Sequence, residues 1–363
     1  MTRRSLVLIA VLAVVPALQV PAAQSSARLP ARLSAPELAS LITELSEPDG
    51  FFRSDNLVSN ELYMQRVIPD LTRLVRPGRA YLGVGPEQNF TYIAAIKPAM
   101  VFIIDVRRGN LQLHLMYKAI FELSADRADF VSRLFSLKRP SGLTRKSTAA
   151  EIFAAYADPK LRSPEIYKQN LAAIRRLLSA KTGMAVAESD LAGIEDRYST
   201  FFTRGLDVHY EITPGSPGSF PTYSELMTAT DGAGVTRSYL ASEDSFGVIK
   251  DMHARNVIVP IVGNFAGPKA IRAVAKYLKA RHALVGAFYV SNVEQYLERG
   301  GGLDEFCGNA AALPLDDSST FIRSERGGFA PRAGSGFPPR GGFGGNFSSQ
   351  LRNILSEVKN CMR

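Results

Sequence analysis

The stretch Tyr81-Leu82-Gly83-Val84-Gly85-Pro86-Glu87-Gln88-Asn89-Phe90, followed by Met100-Val101-Phe102-Ile103-Ile104-Asp105, constrains this chain more than any other. It reads as a buried strand, a glycine turn, a helix and a second strand that ends in a carboxylate. Gly83 and Gly85 stand where a strand turns sharply into a helix, and without a Cβ they let a ligand approach the backbone. Asp105 falls twenty residues beyond Gly85, at the carboxyl end of the apolar run Val101 to Ile104. A carboxylate there can accept both hydroxyls of a ribose. The unit therefore predicts a nucleotide-binding element. The third glycine of a dinucleotide fingerprint would fall at position 88, which is Gln88, so tight helix packing beneath a pyrophosphate is not supported. That favours S-adenosylmethionine (SAM) over NAD. Gln88 and Asn89, which open the helix, join Gly83, Gly85 and Asp105 as candidate cofactor contacts. The alternative is a plain strand-to-helix turn with no ligand.

With 363 residues, 46% of them hydrophobic and 21% charged, the chain can bury one large core or a core with substantial insertions. The formal net charge is +9, but Arg3, Arg4, Arg332 and Arg340 lie in terminal segments, so the folded part is only mildly basic. Such a balance suits an acidic substrate or a membrane surface. No dense Lys/Arg run with interleaved aromatics points to nucleic acid.

Thr2-Arg3-Arg4 leads into the apolar stretch Ser5 to Val20, with small residues around Ala22, the pattern of a signal peptide over residues 1–22. The expectation is export to the periplasm or beyond, with an uncleaved membrane anchor as the alternative. Thr2 to Val7 also fits a twin-arginine signal. An oxidising compartment would permit Cys307 and Cys361 to form a disulfide that tethers the tail. His114, His209, His253 and His282 have no metal-ligand spacing.

Residues 23–45 read as a linker and a short helix, Ala35 to Leu45. The fold itself is expected over residues 46–325. Gly50 to Glu61 is rich in short polar side chains flanked by aromatics: Asp55, Asn56 and Asn60 are candidate substrate contacts and Glu61 a candidate base, while Ser59 can cap the following helix. A helix over Arg107 to Leu123 follows Asp105, and residues 145–206 read as a mostly helical insertion. Two more buried strands, Val257 to Val262 and Leu284 to Val290, end in polar clusters. One holds Asn264, a candidate cofactor contact. The other holds Ser291, Asn292 and Tyr296 as candidate substrate contacts and Glu294 as a second candidate base. Ligands of open α/β sheets bind outside the carboxyl ends of the strands, so these clusters should converge on one crevice. Residues 326–347 are a Gly/Pro-rich linker, and residues 348–363 read as an amphipathic helix capped by Ser349, with Leu351, Ile354, Leu355 and Val358 on its apolar face.

The Tyr81 to Gly85 turn, the strand ending at Asp105, Phe51-Phe52-Arg53-Ser54-Asp55-Asn56-Leu57, Phe265 to Ala270 and Phe288 to Leu297 resemble an uncharacterised bacterial family with a class I SAM-dependent methyltransferase-like fold, over about Phe51 to Arg323. More distantly, Phe102 to Asp105 and the helix beyond resemble the SAM-binding half of aminocarboxypropyl transferases that make betaine lipids. The resemblance implies an α/β, Rossmann-like doubly wound sheet with a helical insertion, SAM as cofactor, and transfer of a methyl or aminocarboxypropyl group. Tyr81 departs from the pattern, since SAM enzymes often carry an acidic residue there. Because SAM is a cytoplasmic metabolite, the alternative is an exported, non-catalytic scaffold that binds a small ligand or a cell-envelope partner.

Overall fold

The computed structural model describes residues 28–179, 183–212, 220–326 and 347–361. The expected signal peptide, and residues 327–346 of the expected linker, lie outside them. Six strands form one sheet: β1 (Ala80–Gly83), β2 (Met100–Asp105), β3 (Ile258–Val262), β4 (Val285–Ser291), β5 (Thr320–Arg326) and β6 (Phe347–Asn353). Their order is β3-β2-β1-β4-β5-β6. The first five are parallel and β6 runs antiparallel on β5. Every residue of β1, β2 and β3 is buried, as helices on both faces of a parallel sheet require, and this is why these strands read as unbroken apolar runs. The chain builds outward from β1 to β3, then returns to the other side of β1 with β4. That reversal between β1 and β4 is the switch point where a doubly wound sheet opens a crevice.

Local signals explain the first helix. Ser34 and Glu37 form a reciprocal capping box, Pro36 stands in the first turn, and Leu38, Leu41 and Leu45 bury one face against β3 and the Ala270–Lys279 helix. Between β2 and β3 the chain is helical, as expected for residues 145–206, but the helical stretch continues through Tyr223–Thr228 and Glu243–Ala254. Arg127 fastens part of this layer. Fully buried, it pairs with Glu243 at 3.0 Å and donates to the carbonyls of Leu240, Ala241, Arg145 and Ser147. All five guanidinium hydrogens are thereby placed, which offsets the desolvation of the charge.

The C-terminus differs from the sequence expectation. Leu351 and Ser349 lie on β6, and the helix is confined to Ile354–Cys361 with Ile354 and Val358 buried. The free edge of β5 accounts for this: pairing Phe347–Asn353 along Thr320–Arg326 satisfies backbone groups that helical periodicity cannot see. Ser59 likewise caps no helix. It accepts from the Glu61 amide and donates to Gln88 instead. The terminal helix packs on Leu303–Ala311, where Cys307 and Cys361 form a disulfide with Cα atoms 5.9 Å apart.

The bridge closes a sequence separation of 54 residues, for which chain-entropy arguments give about 4 kcal/mol. Reduction, or Cys361→Ser, is expected to lower the melting temperature and to speed amide exchange over residues 347–361. Thermal unfolding and hydrogen exchange with and without reductant check this.

Candidate functional site

The two glycines of the turn serve different ends. A Cβ on Gly83 would stand 1.9 Å from Asn89 Oδ1, so Gly83 is required by packing. Gly85 has φ +76°, a left-handed conformation, and a Cβ there would meet only Asn56 Nδ2 at 3.4 Å. Asn89 brackets the turn from beneath: its Nδ2 donates to the carbonyls of Val84 at 2.9 Å and Pro86 at 2.8 Å, and its Oδ1 accepts from Tyr81 Oη at 2.8 Å. His114 Nε2 donates to the Gly85 carbonyl at 2.9 Å. Asn89 is therefore committed to holding the loop.

Asp105 ends β2 at the crevice, but its oxygens are already engaged. Arg107 donates from Nε to Oδ1 at 2.9 Å, from Nη2 to Oδ2 at 2.7 Å, and from its backbone amide to Oδ1 at 3.0 Å. Both side chains are buried. The expectation that Asp105 accepts two ribose hydroxyls is corrected: Oδ1 is saturated and a single acceptor position remains, on Oδ2. Arg107 also donates from Nη1 to the carbonyls of Ser54, at 2.9 Å, and Asp55, fastening the Gly50–Asn60 strap over the crevice.

Glu61 lies behind the opposite wall, 1% exposed. Its Oε1 accepts from Tyr289 Oη and Ser291 Oγ, both at 2.7 Å, and its Oε2 from Gln88 Nε2 at 2.8 Å. All three donors are neutral. Among the described residues no cation is hydrogen-bonded to Glu61. Gln88 gives its second Nε2 hydrogen to Tyr92 Oη and accepts from Ser59 Oγ on Oε1. Ser291, where β4 is bulged against β5, has φ +51°, a strained conformation for a serine that places its hydroxyl between the crevice and Glu61.

The crevice has a volume of about 230 Å³. Of the residues singled out from sequence, Asn56, Asn60, Gly85, Gln88, Asp105, Asn264, Ser291, Asn292 and Tyr296 line it, so four strand ends do meet there. Gly83, Asn89 and Glu61 lie behind the lining. Asp55 faces a second cavity with Arg204 and His209. Glu294 points away, held by Arg323 Nε at 2.5 Å and Nη2 at 2.8 Å, so its carboxylate is occupied in an ion pair. Asn264 accepts the Ala266 amide on Oδ1 at 3.0 Å, a turn-forming bond. Sequence reasoning missed Arg107, Glu87, Tyr289 and Glu47. Of these, Arg107 carried a signal, two residues beyond Asp105, but read as an ordinary helix residue. Glu47 accepts the amides of Asn264, Lys269 and Ala270 and so sets the loop after β3.

Glu87, next to the turn, is wholly buried. Its Oε1 accepts the Ser59 amide at 3.2 Å, and its Oε2 has no partner among the described residues. Burial pushes its carboxyl up to about 8. Burial also pushes His114 down to about 4 and His253 well below its usual value. The folded state keeps a proton on Glu87 that the unfolded chain releases above about pH 4.5, so stability falls as pH rises towards 8. The histidines act oppositely: the unfolded chain takes up protons below about pH 6.5 that the folded state refuses, so stability falls with acid. Glu87→Gln is expected to raise the melting temperature at pH 8.5 while changing it little at pH 5. Thermal unfolding from pH 5 to pH 9 reads this directly.

The sheet order, the βαβ turn and a crevice at the switch point make this an α/β protein with a six-stranded, mostly parallel sheet, an arrangement compatible with a Rossmann-like fold. The chain belongs to the family described as domain of unknown function DUF7790, whose model matches residues 57–351. No curated protein matches the sequence.

Proposed function

We propose that the crevice binds SAM and that the protein transfers a methyl or aminocarboxypropyl group from it, on a sheet of the class I methyltransferase type. The observation that carries this reading is the crevice at the ends of β1 to β4, with the left-handed Gly85 open on one side and Asp105 on the other. Glu61 supports it independently. A buried carboxylate with only neutral hydrogen-bond donors favours a ligand with a cationic group, such as the ammonium or sulfonium of SAM. The residues present fit such a ligand: Gly85 leaves room for its amino-acid part, the Asp105–Arg107 pair faces its ribose, and Asn264 lies towards the reacting carbon. The volume of about 230 Å³ lies under the roughly 300 Å³ lower bound of most small-molecule sites, so the Gly50–Asn60 strap must shift to admit the whole molecule.

Bound there, SAM supplies an electrophilic carbon attached to a positively charged sulfur. The protein's part is to align an acceptor with that carbon and to exclude water. Where the acceptor loses a proton, Ser291 passes it to Glu61, because the carboxylate is reached from the crevice through that hydroxyl. The acceptor is a small molecule or a group at a membrane or cell-envelope surface.

One observation favours a second reading. The Cys307–Cys361 disulfide suits an oxidising compartment, where SAM is not supplied, and an exported scaffold that binds another small ligand or envelope partner is compatible with it. Among the described residues no helix is long and apolar enough to cross a membrane. The location of the mature chain and any cofactor it retains separate the two readings.

Native mass spectrometry and calorimetric titration with SAM, its demethylated product and NAD test the proposal. SAM and the product are expected to bind and NAD to fail. Glu61→Gln should weaken SAM at least tenfold, as should Asp105→Asn. Failure of every adenosine ligand would sink the transferase reading and leave the scaffold.

A further inference from the structure

Arg107 is the strongest unassigned feature of the crevice. Four of its five guanidinium hydrogens are placed: Nε and one Nη2 hydrogen on Asp105, and both Nη1 hydrogens on the Ser54 and Asp55 carbonyls. One hydrogen remains, on Nη2. Asp105 retains one acceptor position, on Oδ2, after taking the Arg107 amide and Nε on Oδ1. The free donor and the free acceptor thus sit on bonded atoms 2.7 Å apart, on the same flank of a planar ion pair, and both residues line the crevice.

A lone carboxylate asks both hydroxyls of a diol to donate. This pair asks for something else: one hydroxyl must donate to Oδ2 and its neighbour must accept from Nη2. We propose that Arg107 is a specificity-determining residue that reads one hydroxyl of a cis-vicinal diol while Asp105 reads the other. The ligand class is a ribonucleoside with both ribose hydroxyls unsubstituted. A 2′- or 3′-phosphate is disfavoured, because the arginine's charge is spent on Asp105 and four of its hydrogens are engaged. The same guanidinium fastens the strap, with Phe52 beneath it at 5.8 Å from Cζ to the ring centre, so a ligand on Nη2 touches the residue that holds the crevice shut. The inference rests on the adenosine part of the proposed function.

Calorimetric titration of the full chain with adenosine, 2′-deoxyadenosine and 3′-deoxyadenosine tests it. The wild-type protein is expected to prefer adenosine at least tenfold over each deoxy analogue. Arg107→Lys should abolish the preference over one analogue and leave the other near its wild-type ratio. If only one hydroxyl matters in the wild-type protein, Asp105 alone reads the ribose and the proposal is overturned, whether or not the variant folds. If Arg107→Lys weakens all three nucleosides by one common factor, the arginine is a strap clamp and no more. Adenosine binding without preference for either hydroxyl overturns the role of Arg107 while sparing a nucleoside site. No adenosine binding at all overturns the ribose reading itself.

Discussion

The buried ion pair between Asp105 and Arg107 is the interaction on which the crevice depends. It joins the end of a central strand to a strap that has no regular structure of its own, and it does so with backbone carbonyls as the arginine's other partners. Such a pair adds little net stability over an apolar replacement, yet breaking it strands a buried charge at about 3–5 kcal/mol. The strap is therefore held by a contact that is costly to lose from one side only.

Opposite this pair, the chain assembles a polar network with the reverse electrostatic character. Glu61, Gln88, Tyr92, Tyr289, Ser291 and Ser59 bond one another in a mostly buried layer, and no arginine or lysine is among them. One wall of the crevice is thus a neutralised ion pair and the other a carboxylate held by neutral donors. Polar groups in so little water must be satisfied by each other, and a network of this kind rigidifies the strand ends it joins. The strained φ of Ser291 is maintained because its hydroxyl has a buried acceptor waiting.

Behind both walls lies a third environment, where burial overrides the usual protonation of Glu87, His114 and His253. The effects oppose one another. Acid costs the fold through the histidines and alkali costs it through the glutamate.

The strand–turn–helix–strand unit from Tyr81 to Asp105 was legible in the chain because every part of it is local: apolar runs long enough for strands, glycines at the turn, and a helix between them. The same holds for the Ser34–Glu37 cap and for the strands that end near Asn264 and Ser291. What the tertiary structure decided was which polar groups are free. Sequence marks Asp105, Glu294, Gln88 and Asn89 as equally available, whereas packing spends Glu294 on Arg323, Asn89 on the glycine loop, Gln88 on Glu61, and most of Asp105 on Arg107. It also turned Leu351 from a helix face into an edge strand and brought Cys307 to Cys361. Periodicity records which way a side chain faces over a few residues. Hydrogen-bond partners 50 or more residues away, such as the strap carbonyls that Arg107 holds, are set only when the sheet closes.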